Sequence, residues 1–318
     1  MKKLMLALFT AALTSLYAAN QTATLSPVLP ETSLPFTLEI ETASFSLPTG
    51  LQSFASATYK GKWFFIAGRT NGLHTFDNVG NNFPPNFQNT TIYVVDPDTG
   101  RNYSRSLFDH SGLSQEQIDI LSVTNSQSFQ KESKLYIVGG YGINTATGEM
   151  ETKSTLTEVD LKGLLKWVKG GKKPLIHSLR QVSDPLLQVT GGFLFQNSDH
   201  DPFLLMLGQN FVGLYRDDSN GIYTQQIRPF RLVEDGKNLA ILPHNSATTY
   251  PDYRRRDLNI APVMKRNKPE YVAFGGVFTL DDGVWTVPIT IKPDGSSSEQ
   301  DPNAPTSFKQ AMNHYDCP

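Results

Sequence analysis

One pattern of apolar and polar positions returns four times along the chain: an apolar run that ends in glycine. Lys134-Leu-Tyr-Ile-Val-Gly-Gly-Tyr-Gly142 is its fullest form. Lys62-Trp-Phe-Phe-Ile-Ala-Gly68, Phe203-Leu-Leu-Met-Leu-Gly208 and Glu270-Tyr-Val-Ala-Phe-Gly-Gly276 repeat it. The glycines at 68, 139, 208 and 275 lie 71, 69 and 67 residues apart. A near-constant period is the mark of a repeat architecture.

Each repeat reads as about four strands, because short apolar or alternating runs are separated by turn residues. The first spans 51–121, with strands at Ser53–Tyr59, Trp63–Ala67, Thr91–Val95 and Tyr103–Phe108. Its long Asn/Gly/Pro-rich segment, 71–89, reads as a loop. Ser114-Gln-Glu-Gln117 has the form of a capping box opening a short helix. The second repeat, 122–186, adds a helix after Asp160, with apolar residues at 161, 164, 165 and 168 and lysines at 162, 166, 169, 172 and 173. That basic face reads as solvated, with a membrane-surface role as the alternative. The third and fourth repeats cover 187–254 and 255–306, with Pro288 suggesting an edge strand. Asp294–Thr306 reads as a polar linker. Residues 307–318, with Phe308–Tyr315, have the look of a fifth repeat that has just begun. The expected class is an all-β propeller of about four blades plus the start of a fifth, with short helical insertions.

Ahead of the repeats, Phe36–Leu47 alternates apolar and polar residues and predicts an extra strand within a leader over 20–50. Met1–Ala19 predicts a cleaved secretory signal. Lys2 and Lys3 precede an apolar stretch from Leu4 to Tyr17, and Ala18 and Ala19 follow. The expected location is therefore periplasmic, cell-surface or secreted.

The double glycine after the second strand of a repeat resembles Kelch-type propellers. Gly139-Gly140 and Gly275-Gly276 match it, while Gly68-Arg69 and Gly208-Gln209 read as keeping only the first glycine. A closer resemblance is to a group of secreted bacterial Kelch-like propellers. It rests on Thr124-Asn125, Gly139-Gly-Tyr-Gly142, Thr190-Gly-Gly192, Gln226-Ile-Arg-Pro-Phe230, Arg255-Arg-Asp-Leu-Asn259, Gly276-Val-Phe-Thr279 and Gln310-Ala-Met-Asn-His-Tyr315. The resemblance implies the fold and carries no activity with it.

Among 318 residues, 18% are charged and the net charge is −2, which gives no basis for nucleic acid or an anionic membrane as partner. The sole cysteine, Cys317, excludes a disulfide framework and a multi-cysteine metal site. No cofactor and no catalytic residue is assigned. Asp96-Pro-Asp-Thr-Gly100 lacks the twelfth-position glutamate of a calcium loop and reads as a turn. Asp199-His-Asp201 reads as a hairpin tip.

The repeat alignment itself supplies a candidate site. In a propeller the inner strands line a central channel, so equivalent positions gather at one mouth. Thr124, Asn125, Thr190, Arg256, Asp257 and Asn259 fall in equivalent places, with His314 as their counterpart in the broken fifth repeat. Such a polar ring suits a sugar, a carboxylate or a metal, and a carbohydrate or protein ligand is expected at this mouth or on the long loops such as 71–89. The plainer role is that Arg256 and Asp257 simply pair and satisfy buried backbone groups. Three functional expectations follow: an exported binding module, a glycan-acting hydrolase or lyase with Asp257, Arg256 and His314 central, or a truncated inactive fragment.

Overall fold

The computed structural model describes residues 37, 39–43, 45–216, 219, 221–236, 238–243, 248–281 and 283–310. The chain divides into Met1–Ala43 and Ser44–Pro318. In the first unit, residues 37 and 39–43 are exposed and form no strand, and Ile40 is 90% exposed. The strand expected over Phe36–Leu47 is therefore not formed at these positions: alternation alone does not make a ladder.

Among its described residues the second unit carries four antiparallel four-stranded sheets, each a simple meander. The first holds β1 (Ala55–Tyr59), β2 (Lys62–Ile66), β3 (Thr91–Asp96) and β4 (Arg101–Ser106). Helix α1 (Gln115–Leu121) follows, opened by the full Ser114–Gln117 capping box. The second sheet takes β5 (Gln127–Lys131) and β6 (Lys134–Val138). A small hairpin, β7 (Tyr141–Asn144) and β8 (Glu149–Thr152), interrupts it before β9 (Thr155–Asp160), α2 (Leu161–Val168) and β10 (Leu179–Ser183). The third comprises β11 (Phe193–Phe195), β12 (Phe203–Met206), β15 (Ile227–Asp235) and β16 (Asn238–Pro243), with the short pair β13 (Gln209–Asn210) and β14 (Ile222–Tyr223) inserted. The fourth comprises β17 (Asn259–Lys265), β18 (Lys268–Phe274), β19 (Ile289–Ile291) and β20 (Ser297–Glu299).

Two expectations are corrected here. The stretch 294–306 is not all linker, because Ser297–Glu299 pairs with β19. The strand near Pro288 is interior, not an edge: β19 pairs on both sides and starts one residue after the proline, which therefore never has to donate to the ladder. Of the expected fifth repeat, residues 307–310 have no regular structure and 311–318 lie outside the described residues.

The sheets pack face to face in chain order. Ala55, Phe64 and Ile92 of the first sheet meet Leu135, Ile137 and Val159 of the second in one cluster, which α2 closes with Leu161, Leu164 and Trp167. Trp167 is 1% exposed, and each such large side chain withdrawn from water contributes on the order of 2 kcal/mol. Tyr136 and Leu156 join Leu205 and Phe230 in the next cluster. Met206 and Ile227 join Tyr271 and Ile289 in the third.

The repeat junctions are identical at the backbone level. Gly68 N donates to Val123 O at 2.7 Å, Gly140 N to Val189 O at 2.9 Å and Gly208 N to Arg255 O at 2.8 Å. A second series links the strand starts: Asn125 N to Ser53 O, Gly191 N to Asn125 O and Asp257 N to Gly191 O, at 3.2, 3.1 and 2.9 Å. These bonds fix the true register of the repeat. The equivalent glycines are 68, 140, 208 and 276, spaced 72, 68 and 68 residues apart. All four adopt left-handed backbone, with φ of 84, 87, 78 and 101°. Gly68 and Gly208 thus keep the second glycine of the pair, not the first as the sequence suggested. The position before is also left-handed, near 60°, and there Ala67 and Leu207 are accommodated.

Candidate functional site

The dipeptides that begin each repeat lie at these junctions: Gln52-Ser53, Thr124-Asn125, Thr190-Gly191 and Arg256-Asp257. Their first members bridge to Arg69, Tyr141, Gln209 and Val277, the residues that follow the marker glycines. Ser53, Asn125 and Asp257 take left-handed φ of 54, 52 and 48°, which turns each strand start toward its neighbouring repeat.

A cavity of about 360 Å³ opens where these starts converge. That is the lower range of small-molecule sites. Its polar lining is Gln52, Ser53, Arg69, Asn125, Arg256 and Asp257. Its aromatic and apolar lining is Leu73, His74, Phe76, Phe83, Tyr215 and Phe278. Residues of all four repeats therefore contribute.

The two arginines are buried, Arg69 at 5% and Arg256 at 8% exposure, and both are anchored. Arg69 donates to Gln52 Oε1 at 2.9 Å and to Gly72 O at 2.9 Å, and its guanidinium lies 4.6 Å from the Phe83 ring centre. Arg256 donates to Tyr215 Oη at 2.8 Å and to Tyr223 Oη at 3.0 Å, with Asp257 Oδ2 3.5 Å away. Burial works against the charge of Arg256; Asp257 and the two tyrosines outweigh it and raise its pKa, so it stays protonated. Burial pushes the Tyr223 hydroxyl up.

The aromatic wall comes from the loop 71–89 and its partner from the third repeat. His74 sits 4.6 Å from Phe76 and 4.6 Å from Phe83, and Phe83 meets Tyr215 edge-on at 4.8 Å. Asn82 N donates to Tyr215 O at 2.9 Å, Tyr215 N to Asn81 Oδ1 at 3.2 Å and Arg216 Nε to Gly80 O at 3.0 Å. These bonds brace the wall against the neighbouring loop. Phe83, Tyr141, Met150 and Phe211 form a small core beneath it. Burial lowers the pKa of His74; the Thr75 carbonyl opposes this, and Arg69 and Arg256 add to the lowering.

Of the residues read from the repeat alignment, Asn125, Arg256 and Asp257 line the cavity. Thr124 lies just behind it, 3.4 Å from Arg69 Nη1. Thr190 is buried, its hydroxyl donating to Asn125 O at 3.0 Å, so it supports the lining without forming it. Asn259 lies inside β17 opposite Phe274 and does not line the cavity. His314 lies outside the described residues. The sequence reading missed Gln52 and Ser53, although they stand 72 residues before Thr124 and Asn125 at the repeat spacing. It also missed Arg69, Tyr215 and Phe278, and it named the loop 71–89 as a place for a ligand without singling out His74, Phe76 or Phe83 within it. Among the described residues no cluster of three or more His, Cys, Asp or Glu is placed to hold a metal. No helix there is long and apolar enough to cross a membrane.

No family model matches the chain, and no curated protein matches it. Among solved structures, one described as "Structure of YjhT" is similar over 82% of this chain and 68% of that one, at 11% identity and a TM-score of 0.46.

Proposed function

We propose that the four sheets are blades of a Kelch-like propeller-type arc, and that the chain is an exported module which binds a carbohydrate in the 360 Å³ cavity. Export rests on the signal-like composition of Met1–Ala19. The propeller reading rests on four equivalent meanders joined by equivalent backbone bonds at the glycine turns. The observation that carries the binding reading is the composition of the cavity: an aromatic wall facing two anchored guanidinium groups, an asparagine and a carboxylate. Aromatic rings pack on the C–H faces of a sugar, and fixed polar groups orient its hydroxyls.

Among the described residues Asp257 is the one carboxylate lining the cavity. Glycoside hydrolysis generally employs two. This favours binding over the hydrolase reading.

The test is calorimetric titration of the full chain with neutral hexoses and with hexuronic acids, alongside Phe76→Ala and Asp257→Asn. Phe76 is 65% exposed, so its truncation spares the fold. Saturable binding weakened about ten-fold by either change, a loss of about 1.4 kcal/mol, supports the site. Equal affinity in both variants moves the ligand elsewhere. Turnover of a glycan, abolished in Asp257→Asn, would replace the binding reading with the enzymatic one.

A further inference from the structure

Helix α2 takes no part in the cavity described above. With the turn Leu175–Ser178 it frames a second cleft of about 210 Å³, lined by Asp160, Lys162, Lys166, Trp167, Lys173, His177 and Ser178. Gly163 forms part of the floor. A Cβ there would lie 2.1 Å from Ser178 Oγ, so only glycine lets the turn sit this close and brings its hydroxyl into the cleft.

Three lysines and one carboxylate, Asp160, line the cleft, so its charge is mainly positive. Residues 160–178 carry five lysines and a single acid, Asp160, in a chain of net charge −2. Asp160 is already engaged: Oδ1 accepts from Lys162 N at 3.1 Å and Oδ2 from Gly163 N at 3.2 Å, which caps the helix. Arg105 does not line the cleft: its Nε is paired with Asp109 Oδ2 at 2.9 Å, and it braces the end of the helix. Its Nη1 donates to Trp167 O at 2.8 Å and Gly171 O at 3.1 Å, and its guanidinium stands 4.9 Å from the Trp167 ring centre. Lys162, Lys166 and Lys173 make no ion pair among the described residues.

Three ammonium groups around one cleft repel each other, and an anion between them removes that repulsion. A tetrahedral oxyanion presents several acceptors at once, matching the ammonium donors and the Ser178 hydroxyl. We propose that this cleft binds a phosphate or sulfate ester group, at a site separate from the carbohydrate cavity.

The test titrates inorganic phosphate and inorganic sulfate into the full chain at low ionic strength, where screening is weak. The comparison is the double variant Lys166→Gln, Lys173→Gln, with thermal melting as the check on folding. The proposal expects saturable binding of one anion, weakened about ten-fold in the double variant and restored by Lys166→Arg, Lys173→Arg. A hexose 6-phosphate that competes with inorganic phosphate supports it further. No saturable binding of either anion, or equal binding by the double variant, overturns it. Retention on phosphatidylglycerol vesicles without binding of inorganic phosphate also overturns it, in favour of a helix that faces a membrane surface.

Discussion

Arg256 Nη2 donates to the hydroxyl of Tyr215 at 2.8 Å, joining the start of the fourth repeat to the inserted loop of the third. The same guanidinium reaches Tyr223 and stands beside Asp257, so one buried side chain serves three partners. Arg256→Leu leaves two phenol groups and a carboxylate without it. Leaving a buried charge uncompensated costs roughly 3–5 kcal/mol, and Asp257 is only partly buried, so we expect a loss of about 2–4 kcal/mol. Arg256→Lys should recover part of this, since an ammonium keeps the charge and loses the fork. Urea unfolding measures both; a loss below about 0.5 kcal/mol for Arg256→Leu would contradict the arrangement.

The glycine turns make a sharper prediction. At Gly208, φ is 78° and an added Cβ would lie 2.7 Å from both Thr190 O and Val189 Cγ1. Gly208→Ala is therefore expected to cost more than about 2 kcal/mol. The neighbouring left-handed position already tolerates alanine in the first repeat, so Ala67→Gly should change stability by less than about 1 kcal/mol. Paired denaturation curves check the contrast, and equal losses at the two positions would refute it.

This contrast also shows what the sequence made legible. Apolar runs and glycines located the second strand of every repeat, because each is a dense apolar run, and those of the second and third repeats are buried on both faces. The register between repeats slipped by one residue at Gly139 and Gly275. Two adjacent glycines look equivalent in sequence, and only the bonds from Gly140 to Val189 and Gly208 to Arg255 separate them. The outer strands β10, β16 and β20 were missed: β10 and β20 are polar or short, and β16 is largely exposed and lacks a clear apolar-polar alternation. The site was half visible. Asn125, Arg256 and Asp257 follow from repeat arithmetic, whereas Tyr215 and Phe83 come from the connections between the second and third strands, whose length and sequence differ from repeat to repeat.

A charge network between the second and third sheets sets an acid limit on stability. Arg180 Nη2 stands 2.6 Å from Glu158 Oε1 and 2.8 Å from Glu234 Oε1, and Lys134 Nζ reaches both acids at 3.1 and 3.3 Å. Hydrogen bonding from Arg180, with Lys134 assisting, holds the Glu234 carboxyl down to about 2. A carboxyl depressed by folding stabilises above its unfolded value, near 4.5, and that contribution is lost as pH falls toward about 2. Glu234 is 49% exposed, so solvent screening keeps the effect small. Melting temperatures recorded from neutral pH downward should fall more for the native chain than for Glu234→Gln. Parallel curves would show that the network does not discriminate the ionised form.

His74 carries the opposite kind of prediction, because its charged form is the one folding disfavours. Burial lowers its pKa, the Thr75 carbonyl at 2.5 Å from Nδ1 partly opposes this, and the nearby guanidinium groups of Arg69 and Arg256 reinforce it. The unfolded chain takes up the proton first, near pH 6.5, so it binds more protons than the folded chain below that value. Stability therefore declines as pH drops from about 7 through 6.5 toward the folded value. His74→Phe fills the same aromatic wall and cannot titrate, so the difference between the two melting profiles isolates this residue from the other histidines. The ring-proton resonance of His74, followed by NMR, should titrate below 6.5; a midpoint at or above that value would mean that the wall is wetter, or the guanidinium groups farther away, than the packing against Phe76 and Phe83 implies.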